Sequence, residues 1–145
     1  MECSRREACA ALALLFAAPA MAADQQPKAA TLPSKFYNFD ELPVRHSGNL
    51  TYRNMFSGTI YEGCHISLHE SELAPRSAPH PPHHHRHEEM VLVAEGTLDF
   101  TINGKTTRAG AGSVMFAGSN DTHGIVNPGD VPAKYFVFAL GPENQ

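Results

Sequence analysis

Beyond residue 34, apolar and polar positions alternate in short runs separated by turn formers. No stretch of roughly ten residues carries the helical period. Residues 50–60 read as a strand, or as two strands broken at Ser57-Gly58. Cys64, Ile66 and Leu68 then alternate with His65, Ser67 and His69, which predicts a strand with one apolar and one polar face. Residues 74–82 hold Pro75, Pro79, Pro81 and Pro82 and read as a loop, because proline cannot enter a sheet interior. The clearest hairpin has Leu98, Phe100 and Ile102 alternating with Thr97, Asp99 and Thr101. Asn103-Gly104 supplies its type I′ turn and residues 105–108 return. Further strands are expected at 114–117, from His123 onward after a turn at 118–120, and at 135–140 after a turn at 127–130. With no helix to cover them, the sheets must cover each other as a sandwich or closed barrel, which makes the chain all-β. Residues 135–140 are apolar on both faces. One face fills the interior; the other needs the N-terminal segment or a second subunit, and a homodimer is expected.

The first 23 residues do not follow this pattern. Arg5 and Arg6 precede an apolar run over 8–18, and Ala20-Met21-Ala22 offers a small-x-small cleavage site. That is the layout of a secretory signal peptide, too short for the ~20 helical residues of a membrane span. Residues 24–34 are a polar lead-in and 35–145 a single domain, expected in the periplasm or secreted. After cleavage only Cys64 remains, so no internal disulfide forms, and a small buried hydrophobe is its expected role. The formal net charge is −4 and the leader holds two acidic and two basic residues, so the mature domain keeps that value. No basic cluster is present, which excludes nucleic acid as the expected partner.

Histidine is where composition departs most from the ordinary: nine residues, four of them between Pro82 and Glu88. His83, His85, His87 and Glu89 share one parity, so in a strand they project from one face, with His84 opposite. Two imidazoles and a carboxylate on one face suit a divalent first-row metal, and local spacing leaves open which two histidines ligate. His123 lies far off in sequence. His65 and His69 can hydrogen-bond a substrate or a ligand carboxylate if their strand face turns inward; turned outward, they are solvated. Arg53 is a candidate carboxylate clamp, with a surface position as the alternative. Met115, Phe116 and Phe138 are expected in the core.

Together these residues carry a resemblance. His83-x-His85-x3-Glu89-x6-Gly96 is similar to the first cupin motif, and Gly112-x5-Gly118-x-Asn120-x2-His123-x3-Asn127 to the second. Gly118 stands where proline is usual and Asn120 where glycine is usual, and both remain compatible with a turn. The short stretch from Gly96 to Gly112 resembles that of bacterial cupins. The resemblance implies a double-stranded β-helix (jelly-roll) barrel. It also implies one divalent metal ion (Fe, Mn, Ni, Zn or Cu) held by His83, His85, Glu89 and His123. Cupins include dioxygenases, decarboxylases, isomerases and non-catalytic binding modules. The implied function is therefore a metal-dependent, dioxygenase-like enzyme for a small oxygenated substrate with Glu89 at the reaction centre, or else a metal- or ligand-binding module. No arginine and lysine cluster is available to clamp a phosphosugar.

Overall fold

The computed structural model describes residues 31–142. The expected signal peptide over 1–23 and the lead-in through residue 30 lie outside the described residues. Nine strands follow one another with two single 3-10 turns and no α-helix among the described residues. They are β1 (Arg45–Ser47), β2 (Leu50–Thr59), β3 (His65–Leu73), β4 (Glu88–Glu95), β5 (Thr97–Ile102), β6 (Lys105–Gly110), β7 (Val114–Ala117), β8 (His123–Val126) and β9 (Ala133–Leu140). One sheet has the order β1-β2-β3-β9-β4-β7, the other β6-β5-β8, and every pairing between strands is antiparallel. This is a jelly roll, as the resemblance implied, and it resolves the sandwich or closed barrel that alternation left open. Asn103 and Gly104 both take positive φ (47° and 81°) in the β5–β6 turn, as a type I′ hairpin demands.

The core forms where the two sheets face each other. Leu73, Val91, Val93, Met115, Tyr135 and Val137 of the larger sheet meet Leu98, Phe100 and Ile125 of the smaller one. Strand β2 is unbroken at Ser57-Gly58, since Ser57 and Gly58 stay in register with Ser67 and Ile66. The irregularity falls instead between Asn54 and Phe56. Cys64 is half-buried just before β3, and its thiol donates to the His65 carbonyl at 3.6 Å.

The outer face of the larger sheet explains the doubly apolar strand. Register places Leu68, Phe138, Met90 and Phe116 in one row across β3, β9, β4 and β7. Glu70, Phe136, Leu92 and Val114 form the next row. Phe116 and Val114 are each 58% exposed, so Phe116 is not a core residue. Its inward neighbour on β7, Met115, is buried, because successive side chains alternate across the sheet. Phe138 also lies on this outer face, half-buried. The N-terminal segment covers a different part, packing Tyr37 on Phe56 and Phe39 on Arg53.

Candidate metal centre

The two sheets bring their contributions together at one end of the barrel. Glu89 is the second residue of β4 in the larger sheet, opposite Ala117. His123 opens β8 in the smaller sheet and is 1% exposed. Between them runs the proline-rich connection from β3, pinned by backbone hydrogen bonds. The His83 and His123 amides donate to each other's carbonyls at 2.9 and 2.8 Å, and the Asn120 amide donates to the His85 carbonyl at 2.7 Å. Asn120 takes a φ of +63°, the left-handed conformation that asparagine tolerates. Gly124 allows the connection to approach so closely: a Cβ there would stand 3.2 Å from Pro82 Cα.

His83, His85 and Glu89 therefore do not share one strand face, as parity suggested. His83 makes a single bridge to β8, His85 lies in the connection, and only Glu89 belongs to a strand. Pro81 and Pro82 have no N–H to offer, so no ladder extends back from this point. Convergence comes from the pinned loop.

The ring nitrogens of His83, His85 and His123 lie within 4.8 Å of one another. Glu89 Oε2 is 3.4 Å from His85 Nε2, and Oε1 is 3.5 Å from His123 Nε2. The other nitrogen of each of these two rings faces a carbonyl, which can only accept. His85 Nδ1 thus donates to the His87 carbonyl and His123 Nδ1 to the Asp121 carbonyl, both at 2.8 Å. This fixes the tautomer and leaves Nε2 with its lone pair, the form that binds a metal. His85 Nε2, His123 Nε2 and His83 Nδ1 are buried without a hydrogen-bond partner among the described residues. Buried polar atoms ordinarily have partners, so three convergent orphans beside a carboxylate fit a cation. Burial lowers the His83 pKa, helped by His80, and keeps that ring neutral as ligation requires. Three neutral imidazoles and one carboxylate would hold a divalent ion with positions left open for substrate.

His87, His85 and Glu89 form a second group within ligand distance. However, the His87 ring is stacked on His85 at 3.6 Å with 13° between planes. Lone pairs lie in the ring planes, so two parallel rings cannot aim at one ion from this arrangement. His84 is exposed.

A cavity of about 100 Å³ adjoins the centre, lined by Glu89, His123, His69 and His80 and by apolar side chains that include Leu50 and Tyr135. His69 therefore faces inward. Burial lowers its pKa against the opposing pull of Glu89, leaving it a neutral imidazole. His65 has the same parity but sits at the start of β3, where its Nε2 is 3.1 Å from Ser57 Oγ. It lines a separate depression with Tyr61, Cys64 and Pro142. Arg53 is on the opposite face of the sheet, 3.7 Å from buried Glu70, and is not a clamp in the cavity. Burial raises the Glu70 pKa, with Arg53 the main opposing influence. Sequence reasoning passed over His80, whose ring lies 4.3 Å from His83; its place in a proline run read only as loop.

A jelly roll with a histidine-and-carboxylate cluster inside one end defines a small β-barrel protein able to hold a metal. Residues 69–139 match the family described as a cupin domain, which together with the fold supports the cupin superfamily for this part of the chain. Solved structures agree on the fold. An RmlC-like cupin from Shewanella frigidimarina is 19% identical, with 76% of this chain and 94% of that chain covered and a TM-score of 0.63. A predicted oxalate decarboxylase from Thermotoga maritima is 18% identical over 74% of this chain and 100% of that chain, TM-score 0.64. The polyketide cyclase RemF from Streptomyces resistomycificus is 22% identical over 74% and 80%, TM-score 0.59. No curated protein sequence matches the chain. Among the described residues no helix is long and apolar enough to cross a membrane.

Proposed function

We propose that the chain is an exported, metal-dependent cupin enzyme of dioxygenase-like type, acting on a small oxygenated organic substrate. The observation that carries this reading is the set of three convergent, unpartnered ring nitrogens beside Glu89. His83, His85, Glu89 and His123 are the proposed ligands, and the bound ion would supply Lewis acidity and redox chemistry. His69 on the cavity wall supports turnover over mere capture, because a neutral imidazole there can donate to a substrate oxygen or take its proton. The second reading, a metal- or ligand-binding module without turnover, draws on the histidine-rich connection, where His80, His84 and His87 surround the proposed ligands.

The test is to load metal-free protein separately with Fe(II), Mn(II), Ni(II), Cu(II) and Zn(II) and follow oxygen consumption with diketones, catechols, flavonols and short hydroxy acids. Turnover with a redox-active metal, absent with Zn(II) and absent in Glu89→Ala, supports the enzyme. Tight ligand binding without turnover under any metal supports the module.

Export is proposed from the leader sequence, and N-terminal sequencing of envelope protein should find cleavage after Ala22 or Ala23. The homodimer is proposed from the apolar rows on the outer sheet face, since exposed contiguous apolar surface marks an interaction site. Light scattering should give twice the monomer mass at micromolar concentration, and Phe116→Glu should shift it toward the monomer.

A further inference from the structure

We infer that the centre takes small bidentate oxygen ligands, short α-hydroxy or α-keto acids, and that Leu50, Tyr135 and Val137 set the size limit. This rests on the reading of the centre as a metal site and narrows its substrate class.

The first argument is volume. The cavity beside Glu89 and His123 measures about 100 Å³. Pockets that enclose drug-sized ligands run to roughly 300–1,000 Å³. A short acid fits it; a fused aromatic system does not.

The second argument is which walls can yield. Tyr135 and Val137 are 2% and 7% exposed and stand on β9, which is hydrogen-bonded to β3 on one side and β4 on the other. Val91 on β4 is 1% exposed and likewise flanked by β9 and β7. Close-packed side chains on doubly paired strands do not move aside without disturbing the core. Leu50 is different. It is half-buried and packed against the core rather than within it, so among the strand-borne walls it is the one to cut back, while Pro79 and His80 complete the lining from the connection.

Charge supplies the third argument. A divalent ion with three neutral imidazoles and the Glu89 carboxylate leaves the centre near +1, which favours a monoanion. No lysine or arginine lines the cavity, so a second anionic group on the ligand finds no countercharge. The metal end would take a carboxylate oxygen and the adjacent hydroxyl or keto oxygen. The carbon chain would then lie against Leu50 and Val137, with His69 within the same cavity as a hydrogen-bond donor.

Glycolate and mandelate carry the same chelating group and differ by a phenyl ring, so they isolate size from chemistry. The full chain is loaded with Co(II), and each acid is titrated against the visible cobalt spectrum, with pyruvate alongside. Glycolate and pyruvate are expected to bind at least about tenfold more tightly than mandelate, and Leu50→Ala to narrow that gap by about tenfold, the scale of pocket-size discrimination. Mandelate binding as tightly as glycolate to the wild-type protein overturns the size limit without touching the metal reading. An unchanged ratio in folded Leu50→Ala removes Leu50 from the wall. If Leu50→Ala does not fold, the wild-type ratio still decides. Failure of Co(II) to bind at all overturns the reading of the centre, and the inference falls with it.

Discussion

His123 and Asn127 bracket strand β8, each 1% exposed, and they meet burial in opposite ways. The Asn127 amide nitrogen donates to the carbonyls of Leu73, Ala74 and Val131, and its oxygen accepts from the Gly129 amide at 2.9 Å. Its own backbone amide donates to the Ser77 carbonyl. Every polar atom of that side chain is engaged, and it ties the exits of β3 and β8 together. His123 has one nitrogen bonded to the Asp121 carbonyl and the other left without a partner beside Glu89. A satisfied buried polar group stabilises the fold; an unsatisfied one, aimed with others at a common point, is arranged for a ligand.

The sharpest way to break this comparison is to remove Asn127. Asn127→Ala leaves buried carbonyls without donors and should cost about 3 kcal/mol of stability, a few kcal/mol being usual for several lost buried hydrogen bonds. Urea unfolding measures it, and metal affinity of the folded fraction should move little. His123→Ala should do the reverse. Metal affinity falls by about tenfold or more, as ligand losses do, while removal of the orphaned nitrogen offsets part of the cavity cost that the buried ring leaves in the metal-free protein. His83→Ala and His85→Ala should match it, and His84→Ala should leave metal content near wild type, all read by mass spectrometry after dialysis. If His84→Ala loses metal and His83→Ala keeps it, the ligand set is wrong.

A smaller effect sharpens the place of His87. As a wall stacked on His85, it should be replaceable by phenylalanine with little loss, whereas His87→Ala should weaken metal binding a few-fold. Equal loss in both variants would make His87 a ligand. The smallest effect is on pH. Burial lowers the folded pKa of His69, His83 and His87 below the ordinary 6.5. Below 6.5 the unfolded chain therefore binds more protons than the folded one, so metal-free stability is fully present above 6.5 and declines as pH falls toward the folded values. His69→Gln should flatten that decline in urea titrations at pH 7.5 and 5.5.

Strand alternation and turn chemistry determined the all-β class, the β5–β6 hairpin and the doubly apolar β9, because a period of two and the dihedral preferences of Asn-Gly are local properties. The ligand candidates were legible for another reason: spacing to Gly96, Gly112 and His123 resembled a family pattern. What local spacing left open was how they meet. Parity put His83, His85, His87 and Glu89 on one strand face, and the structure divides them among a pinned loop, a stack and β4. That division depends on hydrogen bonds from residues 83–85 to 120–123, across long sequence separation, and no period reports such pairings. The facing of β3 was decided in the same way. Alternation established that His65 and His69 share a face, but which face turns inward depends on what packs there. The core of β4, β9 and β5 draws Leu73 and Ser71 inside and His69 with them, while the N-terminal segment covers Arg53 on the other side. Only tertiary packing could make that choice, since alternation gives β3 one apolar and one polar face, and it is the face with His69 and Ser71 that turns inward beside Leu73.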